Sequence, residues 1–264
     1  MDLQLGNKRA LVTGSTAGIG LAIAQALAGE GATVIVNGRS AARVEEAMAT
    51  IRKAHPEAAL EPLVADLGSL QGSEIALQRC PDLDVLVNNV GIFEPRPFEE
   101  IADEEWQKMI EVNFMSGVRL CRHHLPHMKA KGWGRIIFIS SESAVNIPIE
   151  MIHYGVTKTM QIALARGLAE TTIGTGVTVN SVLPGPTRSE GVEQFIKDLA
   201  KAQGMSLEEM EREFFKSARP SSLLQRFETT AEIAAMVTFV ASPLASGTNG
   251  AALRVEGGLL RSIL

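Results

Sequence analysis

Tyr154 and Lys158 are the residues of this chain whose types and spacing make an acid/base pair. A phenol titrates near ~10 when unperturbed, and an ammonium a few ångströms away favours the phenolate and pulls that value toward neutrality. At spacing i, i+4 on a helix the two side chains share one face. Tyr154 is also the only tyrosine in the 264 residues. Because Tyr-x-x-x-Lys alone fits an ordinary helix surface, the elements that carry the pair decide whether it does chemistry.

Those elements alternate along the whole chain. Short β-branched runs at Lys8–Thr13, Ala32–Asn37, Ala59–Ala65, Leu83–Val87, Arg135–Ser140, Val177–Leu183 and Ala251–Val255 read as strands. Their near-continuous apolar character suits a parallel sheet covered on both faces. Between the first two, Ile19, Ala22, Ile23, Ala26 and Leu27 make the stripe of a helix packed on that sheet, which Gly29 and Gly31 end. Repeated strand-helix-strand units require right-handed crossovers, so the expected fold is an α/β doubly wound sheet with helices on both faces. No linker interrupts residues 1–264, so one domain is expected. One segment breaks the rhythm. From about Arg188 to Phe227 the chain is rich in charge, Val192, Phe195, Ile196 and Leu199 fall at helical spacing, and Ser206 with Glu209 predicts a capping box for a second helix reaching Phe214 and Phe215. An excursion of this length inside a compact domain reads as a substrate lid packed by Phe195, Met210, Phe214 and Phe215.

A glycine-rich turn, Thr13-Gly14-Ser15-Thr16-Ala17-Gly18-Ile19-Gly20, joins the first strand to the first helix. Glycine allows a tight turn, close approach of backbone to a pyrophosphate and close helix-to-strand packing, and the helix N-terminus holds the anion. The second strand ends in Asn37-Gly38-Arg39, with no acid between Thr33 and Ser40. A carboxylate there selects the ribose 2′-hydroxyl of NAD, whereas a cation suits a 2′-phosphate, so Arg39 predicts NADP(H) over NAD(H), a solvated loop arginine being the alternative. Asp66 with Leu67, and Asn88-Asn89-Val90-Gly91, lie at carboxyl ends of strands, where open α/β sheets gather ligands. Taken singly, Asp66 would cap the next helix and the asparagines would make a turn.

With Thr13 to Gly20, Asp66, Asn88 to Gly91, Asn113, Ser141, Tyr154, Lys158 and Pro184-Gly185 in this order and spacing, the chain resembles the short-chain dehydrogenase/reductase family over essentially its whole length. The resemblance implies a Rossmann-like sheet of seven strands, a nicotinamide cofactor and reversible carbonyl reduction by a tetrad of Asn113, Ser141, Tyr154 and Lys158. Ser140 competes with Ser141, and the separation of thirteen positions from Ser141 to Tyr154, usual in the family, favours Ser141. In these roles Ser141 orients the carbonyl, Tyr154 moves the proton, and Lys158 biases Tyr154 and bonds the nicotinamide ribose. Asn113 would position a water linking Lys158 to solvent. Pro184, Gly185 and Thr187 would close over the nicotinamide, with the Thr187 hydroxyl serving either its carboxamide or only its own turn. Two departures stand out. Val90 replaces the usual alanine beside the cofactor, and Glu142 places a carboxylate next to Ser141, which reads as a solvated loop acid, with a contact to a substrate hydroxyl or amine as the alternative.

Other features bound the function. The net charge of −5, from 25 Lys+Arg against 30 Asp+Glu, gives no electrostatic footprint for nucleic acid or an anionic membrane. No apolar run approaches the ~18 residues that span a bilayer, no signal-peptide pattern opens the chain, and Cys80 and Cys121 lack metal-like spacing, so a cytoplasmic location is expected. His123, His124 and His127 lack an acidic or cysteine partner nearby, so no metal site is expected, and His153 points to a different helical face from Tyr154. From Met160 to Ala169 the helix is apolar on almost every side, broken mainly by Gln161 and Arg166, which predicts packing beyond its own sheet: a homo-oligomer, for which the resemblance implies a tetramer, a dimer being the alternative. A small carbonyl or alcohol is the expected substrate. A 3-oxoacyl carrier-protein reductase and a sugar or polyol dehydrogenase are the competing activities, and Lys197, Lys201, Lys216 and Arg219 are too interspersed with acids to choose between them. A dinucleotide-binding regulator without turnover is the alternative from another class, and it has no need of all four tetrad residues.

Overall fold

The computed structural model describes residues 1–263; Leu264 and the side chain of Phe195, including its expected part in lid packing, lie outside the described residues. Seven strands form one parallel sheet: β1 (Arg9–Val12), β2 (Thr33–Gly38), β3 (Leu60–Val64), β4 (Val85–Asn88), β5 (Gly134–Ile139), β6 (Val177–Pro184) and, after an excursion, β9 (Ala252–Val255). Their order across the sheet is β3-β2-β1-β4-β5-β6-β9. The chain therefore winds outward from β1 in one direction, returns, and winds outward in the other from β4. That reversal opens a crevice at the carboxyl ends of β1 and β4, where such sheets bind ligands.

Burial on both faces explains the strand composition. In β1, Ala10 and Val12 join one core and Leu11 the other, and in β5 Ile137 and Ile139 oppose Ile136 and Phe138. Helices α1 (Gly18–Gly29), α2 (Ala41–Ala54) and α9 (Thr230–Ala241) cover the first face through residues such as Ile23, Met48 and Val237. Helices α3 (Leu70–Arg79), α5 (Ser116–Lys131) and α6 (Ile152–Glu170) cover the second through Ala76, Leu120 and Ala165. Helix α4 (Asp103–Ile110) runs into α5 through one wide π-helical turn, Glu111–Met115, an interruption that recurs at functional sites. Asn113 sits on that turn.

The excursion builds a third, smaller core. Helices α7 (Glu190–Gln203) and α8 (Leu207–Ser217) bring Ile196, Ala200, Met210 and Phe215 onto Phe227. Ser206 and Glu209 form the reciprocal capping box expected from the sequence: the Glu209 amide donates to Ser206 Oγ at 3.2 Å and the Ser206 amide to Glu209 Oε2 at 2.9 Å. At its base, two short strands that hydrophobic patterning does not reveal, β7 (Thr187–Arg188) and β8 (Glu228–Thr229), pair in parallel.

Helix α6, for which the sequence predicts packing beyond its own sheet, has one side free of that sheet. Within the single chain His153, Lys158, Gln161, Ala165 and Ala169 are buried, while Thr159, Ala163, Arg166, Gly167 and Glu170 form an exposed outer face. Among the described residues no helix is long and apolar enough to cross a membrane.

Candidate active site

The glycine turn is held both by its neighbours and by its own Ser15. Gly14 adopts φ +62° and Gly18 φ +55°, where L side chains are strained. A Cβ on Gly20 would lie 2.4 Å from the Gly14 carbonyl oxygen and 2.5 Å from the Asn89 amide nitrogen, so only glycine fits. Asn37 then ties the turn to two strands: its Oδ1 accepts from the Gly14 amide at 2.9 Å, and its Nδ2 donates to the carbonyls of Leu63 and Ala65 at 3.1 Å each. Ser15 Oγ donates to the Val12 carbonyl at 2.7 Å and accepts from the Asn37 amide at 2.9 Å. The Asn37 and Ser15 side chains, expected at a cofactor, are therefore buried and committed to shaping the turn. Thr16 packs its methyl over Gly38. Asn89 Nδ2 reaches back to the carbonyls of Thr13 and Gly14 at 2.9 and 3.2 Å.

This turn lines a cleft of about 670 Å³ with Ala17, Ile19, Arg43, Asn89 and Gly91, faced by Ser189, Glu190 and Gly191. The N-cap of α1 is Ala17, whose side chain satisfies none of the first helical amides. Unfilled amides at a helix N-terminus, in a cleft that only glycine permits, suit the pyrophosphate of a dinucleotide. Arg39 is exposed and pairs with no described residue, whereas Arg43, which the sequence reading passed over, is held by Glu190 at 3.1 Å. Asp66 is exposed and accepts from the Gly68 amide at 3.1 Å; it does not cap α3, because Ser69 does so by accepting from Gly72. The Leu67 side chain lies in the core, so only its backbone can face the cleft, and Val90 directs its extra bulk against that same core.

The cleft continues into a cavity of about 630 Å³ lined by Ser141, Tyr154, Lys158, Pro184, Gly185 and Thr187 together with the inner faces of α7 and α8. Ser140 and Ser141 divide their work. Ser140 Oγ donates to the Lys158 carbonyl at 2.8 Å, while Ser141 Oγ accepts from the Ser143 amide at 3.1 Å and stands beside Tyr154. Phe93 packs edge-on to the Tyr154 ring at 6.2 Å. Lys158 Nζ lies 5.7 Å from the centre of that ring and donates to the Ile139 carbonyl at 2.8 Å. Burial pushes Tyr154 up to about 12, the neighbouring Ser141 hydroxyl pulling the other way, and burial pushes Lys158 down to about 8. The expected pull of Lys158 on the phenol does not show in the protein alone: loss of water dominates, the Glu142 charge adds to the rise, and the cation that opposes it is Arg219.

Asn113 is buried and fully engaged. Its Oδ1 accepts from the Ile92 amide at 2.7 Å, and its Nδ2 donates to the Ile92 carbonyl at 2.9 Å and to Thr157 Oγ1 at 3.1 Å. Its main-chain carbonyl accepts from Gln161 Nε2 at 2.5 Å, and Gln161 Oε1 accepts from Lys158 Nζ at 3.4 Å. A side-chain amide thus joins the Asn113 main chain to Lys158. Gln161 was legible only as one of two polar interruptions, with Arg166, of the apolar run Met160–Ala169. Thr187 Oγ1 donates to the Gly185 carbonyl at 2.9 Å, so its hydroxyl serves its own turn while the residue lines the cavity.

Glu142 departs most from expectation. It is 3% exposed, not solvated, because Arg219 Nε reaches across from the segment after α8 to its Oε1 at 3.0 Å. Burial raises its pKa, and Arg219 opposes the shift. Such a pair cannot be read from sequence, since its members lie 77 residues apart and nothing local marks either one. His153 packs edge-on to Trp106 at 5.9 Å, and the His123 ring centre lies 4.8 Å from those of His124, met edge-on, and His127, met at a tilt. Among the described residues no group of three potential ligands is placed to hold a metal ion.

Comparison with known proteins agrees with this geometry. Residues 8–200 match the family model described as short chain dehydrogenase. The uncharacterized oxidoreductase YvaG of Bacillus subtilis (strain 168) is 50% identical over 100% of both chains, and the D-beta-hydroxybutyrate dehydrogenase of Cupriavidus necator is 34% identical over 96% of this chain and 98% of its own. Among solved structures, L-sorbose reductase from Gluconobacter frateurii, complexed with NADPH and L-sorbose, superposes with a TM-score of 0.93 at 30% identity over 100% of both chains. The chain belongs to the short-chain dehydrogenase/reductase family, and it is an oxidoreductase acting on CH–OH groups.

Proposed function

We propose that this protein interconverts a ketone and a secondary alcohol with NADP(H), using Tyr154 as the general acid/base. One observation carries the reading: Ser141, Tyr154 and Lys158 line a single cavity that runs into the glycine-walled cleft. A nicotinamide cofactor, when bound, supplies or accepts the hydride. The protein does the rest. Ser141 donates a hydrogen bond to the carbonyl oxygen as charge builds there, and Tyr154 gives that oxygen its proton during reduction or takes it during oxidation. Lys158 presents a buried positive charge behind the phenol, oriented by the Ile139 carbonyl and by Gln161, and Asn113 fixes Gln161 in turn. Gly14, Gly18, Ile19, Gly20, Asp66, Asn89, Val90 and Gly91 form the dinucleotide side, and Pro184, Gly185 and Thr187 the nicotinamide end. Arg39 supports NADP(H) over NAD(H), as an exposed cation where NAD sites carry an acid.

Helices α7 and α8 form the substrate lid of a single-domain enzyme, and the exposed outer face of α6 is the contact of a homo-oligomer. A cytoplasmic location accords with the buried thiols of Cys80 and Cys121. The decisive measurement is the kinetics of Tyr154→Phe, with NADPH oxidation followed against a carbonyl panel. We expect kcat to fall at least ~100-fold, at the scale of general acid/base catalysis, with NADPH affinity retained. Turnover within about tenfold of the parent would remove Tyr154 from the mechanism.

A further inference from the structure

Glu142 and Arg219 meet in the wall of the catalytic cavity, and each keeps one polar atom unused. Glu142 Oε1 accepts from Arg219 Nε at 3.0 Å and from the Ser143 hydroxyl at 3.1 Å, while Oε2 is buried without a partner among the described residues. Arg219 Nη1 donates to Glu150 Oε1 at 3.3 Å and to the Ala218 carbonyl at 2.9 Å, and no described residue accepts from Nη2. Both side chains are buried, at 3% and 8% exposure. A charged group buried with hydrogen-bonding capacity unspent costs the folded protein stability, so the arrangement gains from whatever enters the cavity and completes it.

The chemistry of the pair defines that partner. An acceptor oxygen beside a donor nitrogen suits a group that is donor and acceptor at once, which is a hydroxyl. Charge excludes the obvious competitor. Two carboxylates, Glu142 and Glu150, face one guanidinium, so this corner is net negative and repels a carboxylate or phosphate. Position places the hydroxyl near the reacting end of the substrate: Glu142 and Arg219 line the same cavity as Ser141 and Tyr154, and the charge of Glu142 is felt at the phenol. Much of the remaining wall, including Phe93, Met151, Leu199, Met210 and Phe214, is apolar and asks only for shape.

We propose that Glu142 and Arg219 select neutral ketones carrying a hydroxyl beside the carbonyl, and the corresponding vicinal diols in the oxidative direction. The proposal rests on the oxidoreductase reading above. In reduction one hydride from NADPH reaches the carbonyl carbon and one proton reaches its oxygen, giving a vicinal diol and NADP+; the selecting hydroxyl is unchanged.

The test uses matched trios of a hydroxyketone, its deoxy ketone and its keto acid, from hydroxyacetone, acetone and pyruvate upward in chain length. NADPH oxidation is followed for the whole protein and for Glu142→Leu and Arg219→Met. In the parent, kcat/KM for the hydroxyketone should exceed that of the deoxy ketone at least ~tenfold, the effect of one charge-assisted hydrogen bond, with the keto acid poorest. In both variants that ratio should fall to near unity, while NADPH affinity by fluorescence stays within about twofold. Should a melting curve show either variant unfolded, the isosteric Glu142→Gln carries the test, with the ratio reduced at least ~threefold. Equal rates within the parent trios, a preference for the keto acid, or a ratio that survives Glu142→Gln would each overturn the proposal and leave ketone reduction standing. No NADPH oxidation with any trio or with a wide carbonyl panel would overturn the oxidoreductase reading itself, and this proposal with it.

Discussion

Lys158 carries its ammonium into a place that opposes folding. Its pKa in the folded chain is about 8, against an ordinary value of 10.5. Below about 8 both folded and unfolded chains hold the proton, and the folded chain bears the full cost of burying it; between 8 and 10.5 the unfolded chain binds more protons, so stability rises with pH across that window. The cofactor-free protein should accordingly melt at higher temperature at pH ~9 than at pH ~7, unless other groups titrate against it. Lys158→Met should stabilise the fold at neutral pH by on the order of 3 kcal/mol and abolish turnover, a separation of stability from activity that paired melting curves and rates would reveal. A lower melting temperature in that variant would mean that the bonds to Ile139 and Gln161 outweigh the burial. Arg39 makes the opposite kind of prediction, because it is exposed and holds nothing together. Arg39→Ala should weaken NADPH at least ~tenfold and NADH by no more than about twofold, measured by fluorescence titration. Equal losses would assign Arg39 to general attraction rather than to a 2′-phosphate.

At the scale of elements, what could be read from the sequence follows the range of the interactions concerned. The capping box of α8 was legible because Ser206 and Glu209 act within one turn, and the stripe Val192, Ile196 and Leu199 because helical spacing is local. The parallel pairing of β7 with β8 was not, since two-residue strands carry no periodicity. Nor was the burial of Glu142, which depends on a partner far along the chain. The cap also gives the lid its own test. Losing a serine N-cap costs about 1 kcal/mol, which in a helix of 11 residues packed on a small separate core loosens the whole element. Ser206→Ala should raise the ketone KM several-fold and speed hydrogen exchange across Leu207–Ser217, with NADPH affinity intact. An unchanged KM would detach α8 from substrate binding.

The whole molecule repeats the lesson at longer range. The doubly wound sheet was legible because its inner strands are covered on both faces, which leaves a continuous apolar run in the sequence. The apolar run of α6 told of packing beyond its own sheet but not which side faces outward, because a run of Ala, Gly and Leu looks the same whether it meets its own sheet or another chain. Ala163 and Gly167 let that face approach a neighbour closely, and the chain of 28.3 kDa should sediment as a dimer or tetramer at micromolar concentration. A monomer would leave the face without a partner and remove the oligomer.

Asn37 and Arg39 stand two residues apart and have nothing to do with one another's work. Asn37 locks three strand ends into one unit, and Arg39 extends from that unit into solvent. If Arg39 reads the 2′-phosphate as proposed, evolution can exchange it while leaving untouched the residue that builds the turn. Cofactor preference would then be a replaceable fitting on a rigid mount, and a descendant with an acid in place of Arg39 should fold as well as its parent.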